Sequence, residues 1–101
     1  MSGKTEKLLS LLAGQPVIPV IKIKHADDAV PLARALVAGG LRMIEITLRT
    51  PDALECIRRV SRDVGGAIVG AGTVLNPKQF YEAVAAGSKF IVSPGLTASL
   101  I

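Results

Sequence analysis

The chain has 101 residues, half of them hydrophobic, with ten glycines, one tyrosine, two phenylalanines and no tryptophan, which excludes a disordered chain and suits one small domain or a piece of a larger one. The net charge is +4, but the basic residues are scattered and lack aromatic partners, so we expect no nucleic-acid partner. The single cysteine, Cys56, excludes an internal disulfide and favours a cytoplasmic protein, and no apolar run is long enough to span a membrane.

The first predicted elements are a helix, a strand and a second helix. Residues 1–15 are amphipathic without the features of a signal peptide, and they predict an N-terminal helix. Residues 17–24, VIPVIKIK, are short and β-branched, which is typical of a strand. Residues 25–40 place apolar side chains at helical spacing and end in two glycines, which predicts a helix that stops there.

The same unit then recurs twice. A second strand is predicted over 41–49, followed by Thr50-Pro51 as an N-cap with proline at the first helical position, and by a helix over 52–64. A third strand is predicted over 67–75, Asn76-Pro77 repeats the capping pattern, and a helix follows over 78–87.

The last predicted elements are a fourth strand over 88–96 and a further helix that begins at Thr97. Alternating strands and helices predict βαβ units and a parallel sheet. A doubly wound open sheet and a (β/α)8 TIM barrel both fit that order. The barrel is favoured because no GxGxxG motif follows the first strand. We therefore predict an α/β fold comprising the first four β/α units of a TIM barrel after an N-terminal helix.

The second strand also favours the barrel, because its two faces differ. Ile44, Ile46 and Leu48 alternate with a second set of residues, Met43, Glu45, Thr47 and Arg49. A barrel strand has an apolar outer face under the helices, and its inner face can turn polar near the C-terminal end, where barrel enzymes place their active sites. Glu45 and Arg49 are thus candidate site residues. A structural Glu–Arg pair, or an edge strand with its polar face in water, would also account for them.

The third and fourth strands end in residues that suit the same site. GAGTV (70–74) places two glycines and the hydroxyl of Thr73 at the end of the third strand. The glycines allow either the close approach of a ligand or closer packing of the protein itself. SPGL (93–96) ends the fourth strand in a polar turn. Three consecutive strands therefore present polar or glycine-rich ends at one edge of the predicted sheet.

These residues carry a family resemblance. VIPVIKIK, AVPLARALVAGGLRMIEITLRT, IVGAGTVLNPKQ and SPGLT resemble the N-terminal half of the 2-keto-3-deoxy-6-phosphogluconate (KDPG) / 4-hydroxy-2-oxoglutarate aldolase family. The resemblance covers residues 16–101, in register and in order. It implies a trimeric, metal-free and cofactor-free class I aldolase that cleaves its substrate to pyruvate and an aldehyde, by Schiff-base chemistry, in the Entner–Doudoroff branch of carbohydrate metabolism.

The resemblance also implies roles for individual residues. Glu45 matches the general acid/base, Arg49 the residue that holds the pyruvyl carboxylate, and Thr73 a substrate-binding hydroxyl. Pro94 matches the turn that lines the same pocket. A carboxylate with a pKa raised by partial burial can both take and return a proton, and a guanidinium can bind a 2-oxo acid in bidentate fashion.

The imine-forming lysine of the family lies in a KFFPA-like sixth strand, beyond Ile101. Among the lysines of this chain, Lys24 alone is predicted near the C-terminal end of a strand, whereas Lys89 opens the fourth strand at the opposite end. We therefore expect residues 1–101 to be the N-terminal half of one barrel domain, inactive alone.

Two alternatives remain open from the sequence. One is a non-catalytic half-barrel module that associates through its open sheet edges. The other is a different phosphate-binding TIM barrel, such as a thiamine-phosphate-synthase-like enzyme, for which GAGT is suggestive but the Glu45/Thr47/Arg49 face has no use.

Overall fold

The computed structural model describes residues 18–93 and 99–100, so the predicted helix over 1–15 and the turn at Pro94 lie outside the described residues. The elements are β1 (Val20–Ile21), a 3-10 turn (Ala26–Asp28), α1 (Ala29–Ala38), β2 (Met43–Thr47), α2 (Ala53–Asp63), β3 (Ile68–Gly72), α3 (Pro77–Ala85), β4 (Phe90–Ile91) and β5 (Ser99–Leu100). Within these ranges, no helix has the length and apolar character that crossing a membrane requires.

The strands form one sheet in the order β1-β2-β3-β4-β5. The first four are parallel, which confirms the predicted α/β fold with a parallel sheet. The fifth strand pairs antiparallel with β4, joining Phe90 to Leu100 and Ile91 to Ser99. The predicted helix is therefore wrong at Ser99–Leu100, where the chain is extended and finds hydrogen-bonding partners on β4. Thr97 itself lies outside the described residues.

The apolar core lies between one face of the sheet and the three helices. Ile44 and Ile46 of β2 are 1% and 0% exposed, and they share the core with Ile57 and Val60 of α2. Burying an isoleucine of this kind contributes roughly 1.5–3 kcal/mol, so these contacts fix the sheet against the helices. The alternation of β2 predicted this face correctly, and Glu45, between the two isoleucines, consequently points to the opposite face.

The helix starts differ from one another in how their backbone is capped. At α3 the prediction is confirmed, because the Asn76 side chain accepts a hydrogen bond from the Gln79 amide at 2.9 Å and Pro77 is the first helical residue. At α2 the predicted cap is wrong. The helix begins at Ala53, and the Thr50 hydroxyl instead donates to the Ile23 carbonyl oxygen at 2.6 Å.

The two glycines of β3 make room for protein side chains. A Cβ built on Gly70 would lie 2.5 Å from Cζ of the buried Phe90 ring, on the face of the sheet away from the helices. A Cβ on Gly72 would lie 2.8 Å from Cδ of Glu45. Of the two interpretations that the sequence left open, close packing of the protein itself accounts for both glycines.

Gly70→Ala is expected to lower the free energy of unfolding by about 1–3 kcal/mol, because its methyl group overpacks the Phe90 ring. Gly65→Ala is the matched control, since a Cβ there meets nothing within 4 Å. Urea titrations of the chain and both variants measure the effect, and adding Phe90→Leu to Gly70→Ala should restore part of the loss. Equal unfolding midpoints for the two alanine variants would contradict this account of Gly70.

Candidate active site

Glu45 is the middle residue of β2, and its side chain lies on the face of the sheet away from the helices. Its register partners are Val20 of β1 and Gly70 of β3, and its side chain leans over the backbone of Gly72, one row nearer the carboxyl end. Because glycine has no side chain, the carboxylate occupies the space that a Cβ on Gly72 would fill. The neighbouring strand therefore sets where the Glu45 carboxylate can lie.

The surroundings of Glu45 favour its neutral form. Partial burial raises the pKa of Glu45 above its ordinary value of 4.5. Within residues 18–93 every ion pair involves an arginine of α2, namely Arg58, Arg59 or Arg62, and none includes Glu45 or Arg49. In this part of the chain, then, the structural Glu–Arg pair considered from the sequence is not formed. A carboxyl group with a raised pKa can exchange a proton nearer neutral pH than an ordinary glutamate.

Arg49 and Thr73 meet just beyond the ends of their strands. Arg49 lies two residues after β2, in a turn, and its side chain is exposed. Its Nε donates a long hydrogen bond of 3.4 Å to Oγ1 of Thr73, which directly follows β3. Thr73 has a φ of 59°, a left-handed conformation that is rare for a β-branched residue. The structure thus brings together two of the three predicted site residues.

Glu45 shares this end of the sheet with that pair. Its carboxylate lies beside Gly72, and Gly72 directly precedes Thr73. The Leu48 amide donates to the Gly72 carbonyl oxygen at 2.9 Å, so the chain leading to Arg49 stays bonded to β3 beyond the end of β2. The carboxylate, the hydroxyl and the guanidinium are therefore all placed by β2 and β3 at the carboxyl edge of the sheet.

Three hydroxyl groups that the sequence does not indicate as site residues connect β2 to β1 and β4 to β3 near the carboxyl ends of these strands. Thr47, which is 8% exposed, donates to the Ile21 carbonyl oxygen at 3.4 Å, and Thr50 donates to that of Ile23. Ser93 donates to the Val74 carbonyl oxygen at 2.6 Å. The sequence shows a hydroxyl residue at or just after each strand, but that pattern does not indicate which carbonyl group the hydroxyl will bind.

The lysines considered from the sequence are all exposed. Lys24 lies in a bend after β1, and Lys89 lies immediately before β4 at the opposite end of that strand. The predicted position of Lys89 is therefore confirmed. Lys24 lies three residues beyond the end of β1 rather than within the predicted strand, because β1 pairs with β2 only at Val20 and Ile21.

The pKa of Glu45 has a consequence for stability. A raised native pKa means that the folded state binds the proton more tightly than the unfolded state. The stabilisation that comes from this tighter binding is present at low pH and is lost as pH rises through the raised pKa. Glu45→Gln should therefore stabilise the protein more at pH 7 than near pH 4, by a small amount because the group is partly solvated. Urea unfolding at both pH values measures this difference, with Glu82→Gln on an exposed face of α3 as control. A Glu45→Gln effect that is the same at both pH values would contradict it.

A parallel α/β sheet that carries a carboxylate and a guanidinium from one strand, and a hydroxyl just after the next strand, towards its carboxyl edge is typical of the class of α/β enzymes whose sites lie at that edge. The comparisons with known proteins identify the family within this class. A model of the KDPG and KHG aldolase family matches residues 8–101. The chain belongs to the KDPG and KHG aldolase family.

Named relatives support the assignment of the chain to this family. The chain is 54% identical over 92 residues to the KHG/KDPG aldolase of Escherichia coli (strain K12), which covers 91% of this chain and 43% of that protein. It is 56% identical over 91 residues to the 2-dehydro-3-deoxy-phosphogluconate aldolase of Zymomonas mobilis, covering 90% and 43%. The chain thus spans less than half the length of these curated relatives.

Solved structures give the same result. The 2-keto-3-deoxy-6-phospho-gluconate aldolase of Zymomonas mobilis superposes with a TM-score of 0.77 at 56% identity, covering 87% of this chain and 42% of the other. The KDPG aldolase of Legionella pneumophila, solved with pyruvate captured as a covalent carbinolamine intermediate, also gives 0.77, at 49% identity, covering 87% and 43%.

Proposed function

We propose that residues 1–101 are the N-terminal half of a (β/α)8 barrel and contribute the proton carrier and the carboxylate-binding residues of a class I aldolase. Its substrate is a 2-keto-3-deoxy-6-phospho sugar acid or 4-hydroxy-2-oxoglutarate, and its products are pyruvate and an aldehyde. The observation that carries the proposal is the placement of Glu45, Arg49 and Thr73 at one edge of the parallel sheet, at the positions that match the family's motifs.

Glu45 is proposed as the proton carrier. Once the C2 carbonyl of the substrate has condensed with a lysine amine and released water, Glu45 takes the proton of the C4 hydroxyl. The bond between C3 and C4 then breaks, C4 becomes the aldehyde carbonyl carbon, and the electron pair passes into the imine to give an enamine. Glu45 returns the proton to C3, and hydrolysis releases pyruvate. A carboxyl group whose burial raises its pKa suits both transfers.

Arg49 and Thr73 are proposed to hold the substrate's carboxylate beside that carbon. The exposed guanidinium has donors besides Nε, and these can bind a carboxylate in bidentate fashion. The long Nε bond to the Thr73 hydroxyl directs the guanidinium towards Thr73 and leaves its other N–H groups for the ligand. Thr73 contributes its hydroxyl to the same carboxylate. Electrostatic attraction and a matched geometry together favour a 2-oxo acid over a neutral ketone.

The imine lysine is proposed to lie outside residues 1–101, on the strand that matches the sixth strand of the family. The same resemblance supports a trimer in the cytoplasm. Sizing of the active protein tests the trimer, and a monomer with full activity would remove it from the proposal.

A fusion protein tests the proposal. In it, residues 1–101 replace the part of the Escherichia coli KHG/KDPG aldolase that they match, and the remainder of that enzyme supplies the sixth strand. We expect the fusion protein to cleave both substrates, and neither the chain alone nor the Escherichia coli remainder alone to do so. A fusion protein that folds, as judged by circular dichroism and cooperative unfolding, yet cleaves neither substrate would contradict the proposal and favour a non-catalytic module.

A further inference from the structure

Two side chains from the loop after β2 bind the backbone of the loop after β1. The Thr50 hydroxyl donates to the Ile23 carbonyl oxygen at 2.6 Å, and the Asp52 carboxylate accepts from the Ala26 amide at 2.9 Å. All four residues lie beyond the carboxyl ends of their strands, so both bonds join the loops that border the candidate site. We call this pair of hydrogen bonds the loop clamp.

The loop clamp uses the two residues that a local interpretation assigns to the start of α2. Thr and Asp before a helix normally accept hydrogen bonds from the first helical amides. Here Asp52 occupies the N-cap position but its side chain makes no capping hydrogen bond, and Thr50 lies two residues further upstream. Both side chains reach instead to a loop more than twenty residues earlier in the sequence. Their role is therefore to connect the two loops.

Arg49 is held between this clamp and β3. On one side, the Leu48 amide donates to the Gly72 carbonyl oxygen at 2.9 Å. On the other side, Thr50 is bonded to Ile23. The Arg49 side chain is exposed, and within the described residues it makes one hydrogen bond, to Thr73, which at 3.4 Å is too long to fix the guanidinium alone. An arginine loses substantial rotamer freedom when it is ordered, so a fixed backbone on both sides reduces what a ligand must order on binding.

We propose that Thr50 is a positioning residue for Arg49. Its hydroxyl, assisted by Asp52, binds the turn that carries Arg49 to the loop just after β1. The guanidinium is thereby positioned beside Thr73 before the carboxylate of a 2-oxo acid binds. This inference rests on the proposed function for the identity of the ligand. The placement of Arg49 itself does not depend on catalysis, and it can be measured separately.

The kinetic test compares Thr50→Val, Thr50→Ser and the unsubstituted fusion protein. We expect Thr50→Val to raise KM for the cleaved 2-oxo acid about tenfold with kcat within about twofold, because ground-state and transition-state binding of the carboxylate weaken together. Thr50→Ser keeps the hydroxyl and should restore KM. Arg42→Met is the matched control, since it removes a side-chain bond to the Gly66 carbonyl oxygen at the other end of β2.

A double-mutant cycle separates positioning from a general loss of stability. In an Arg49→Met background, Thr50→Val should change KM less than about twofold, since residues that act as one unit are not additive. A full tenfold effect in that background, or a Thr50→Val enzyme with the KM of the unsubstituted fusion protein, would overturn the inference. An inactive unsubstituted fusion protein would instead count against the proposed function.

A spectroscopic measurement on the 101-residue chain tests the placement whether or not the fusion protein is active. The Arg49 Nε–H resonance is assigned by its loss in Arg49→Lys. We expect Thr50→Val to shift this resonance and to speed its exchange with solvent, and Thr50→Ser and Arg42→Met to leave it in place. An Arg49 resonance unchanged by Thr50→Val, in a chain that still unfolds cooperatively, would refute the role of Thr50.

Discussion

Glu45→Gln is expected to slow cleavage by the fusion protein about 10²–10⁴-fold, the usual contribution of a positioned proton carrier. The amide has the shape of the carboxyl group but cannot take the C4 hydroxyl proton or return a proton to C3. Its place beside Gly72 is preserved, so the loss falls on the proton transfers. Steady-state cleavage of the 6-phospho sugar acid measures the turnover rate, and borohydride trapping with pyruvate measures imine formation, which should persist.

Glu82→Gln is the control for this experiment, because it removes one carboxylate from an exposed position on α3. We expect it to retain the turnover of the unsubstituted fusion protein. A Glu45→Gln enzyme that turns over at the unsubstituted rate would remove Glu45 from the mechanism. Loss of both turnover and trapping would assign Glu45 to imine formation instead.

Arg49→Met is expected to raise KM for the 2-oxo acid about 10- to 100-fold, since hydrogen bonds to a charged group contribute about 1.5–3 kcal/mol. Arg49→Lys should reverse only part of this rise in KM, because an ammonium keeps the charge but lacks the paired N–H donors of the guanidinium. Arg34→Met, on the exposed side of α1, is the matched control for removing one positive charge. Kinetics over a range of substrate concentrations measure all three variants.

The proposed role of Arg49 in carboxylate binding also predicts ligand selectivity. Pyruvate should protect the unsubstituted fusion protein from thermal unfolding, and pyruvamide, which lacks the charge, should protect it less. In Arg49→Met the difference between the two ligands should disappear. If pyruvate keeps its advantage over pyruvamide in Arg49→Met, another residue holds the carboxylate.

The parallel sheet and the faces of its strands could be predicted from the sequence because hydrophobic periodicity depends on local spacing alone. Alternation along 43–49 placed Ile44 and Ile46 in the core and Glu45 opposite them, as the structure has them. The cap at Asn76 was predictable for the same reason, since its partner is three residues away.

What the sequence could not supply depends on contacts between distant residues. Thr50 has the pattern of a helix cap, and only the folded position of Ile23 shows that its hydroxyl bonds across to another loop. The extended chain at Ser99–Leu100 follows from pairing with β4, which overrides its local preference. Thr73 has a left-handed backbone conformation, whereas a β-branched residue favours the extended conformation that the sequence predicts there.

The residues of the candidate site could be predicted from the sequence by their motifs, whereas their geometry could be predicted only in part. The spacing of Glu45 and Arg49 indicated one face, but Arg49 lies beyond the end of β2, in a turn. Its position relative to Thr73 follows from the register of β2 against β3, in which Thr47 pairs with Gly72. Register and turn geometry are fixed by the whole sheet, so the contact between Arg49 and Thr73 could only be seen in the structure.

The central claim is that this chain carries the acid/base and carboxylate-binding half of a class I aldolase whose imine lysine lies elsewhere. Treatment of the fusion protein and of the isolated chain with pyruvate and borohydride, followed by intact mass and peptide mapping, tests it most directly. We predict one reduced pyruvyl group per fusion protein, on a lysine of the Escherichia coli part, and none on the isolated chain. An adduct on the isolated chain that disappears in Lys24→Met, or a folded fusion protein that forms no adduct, would contradict the claim.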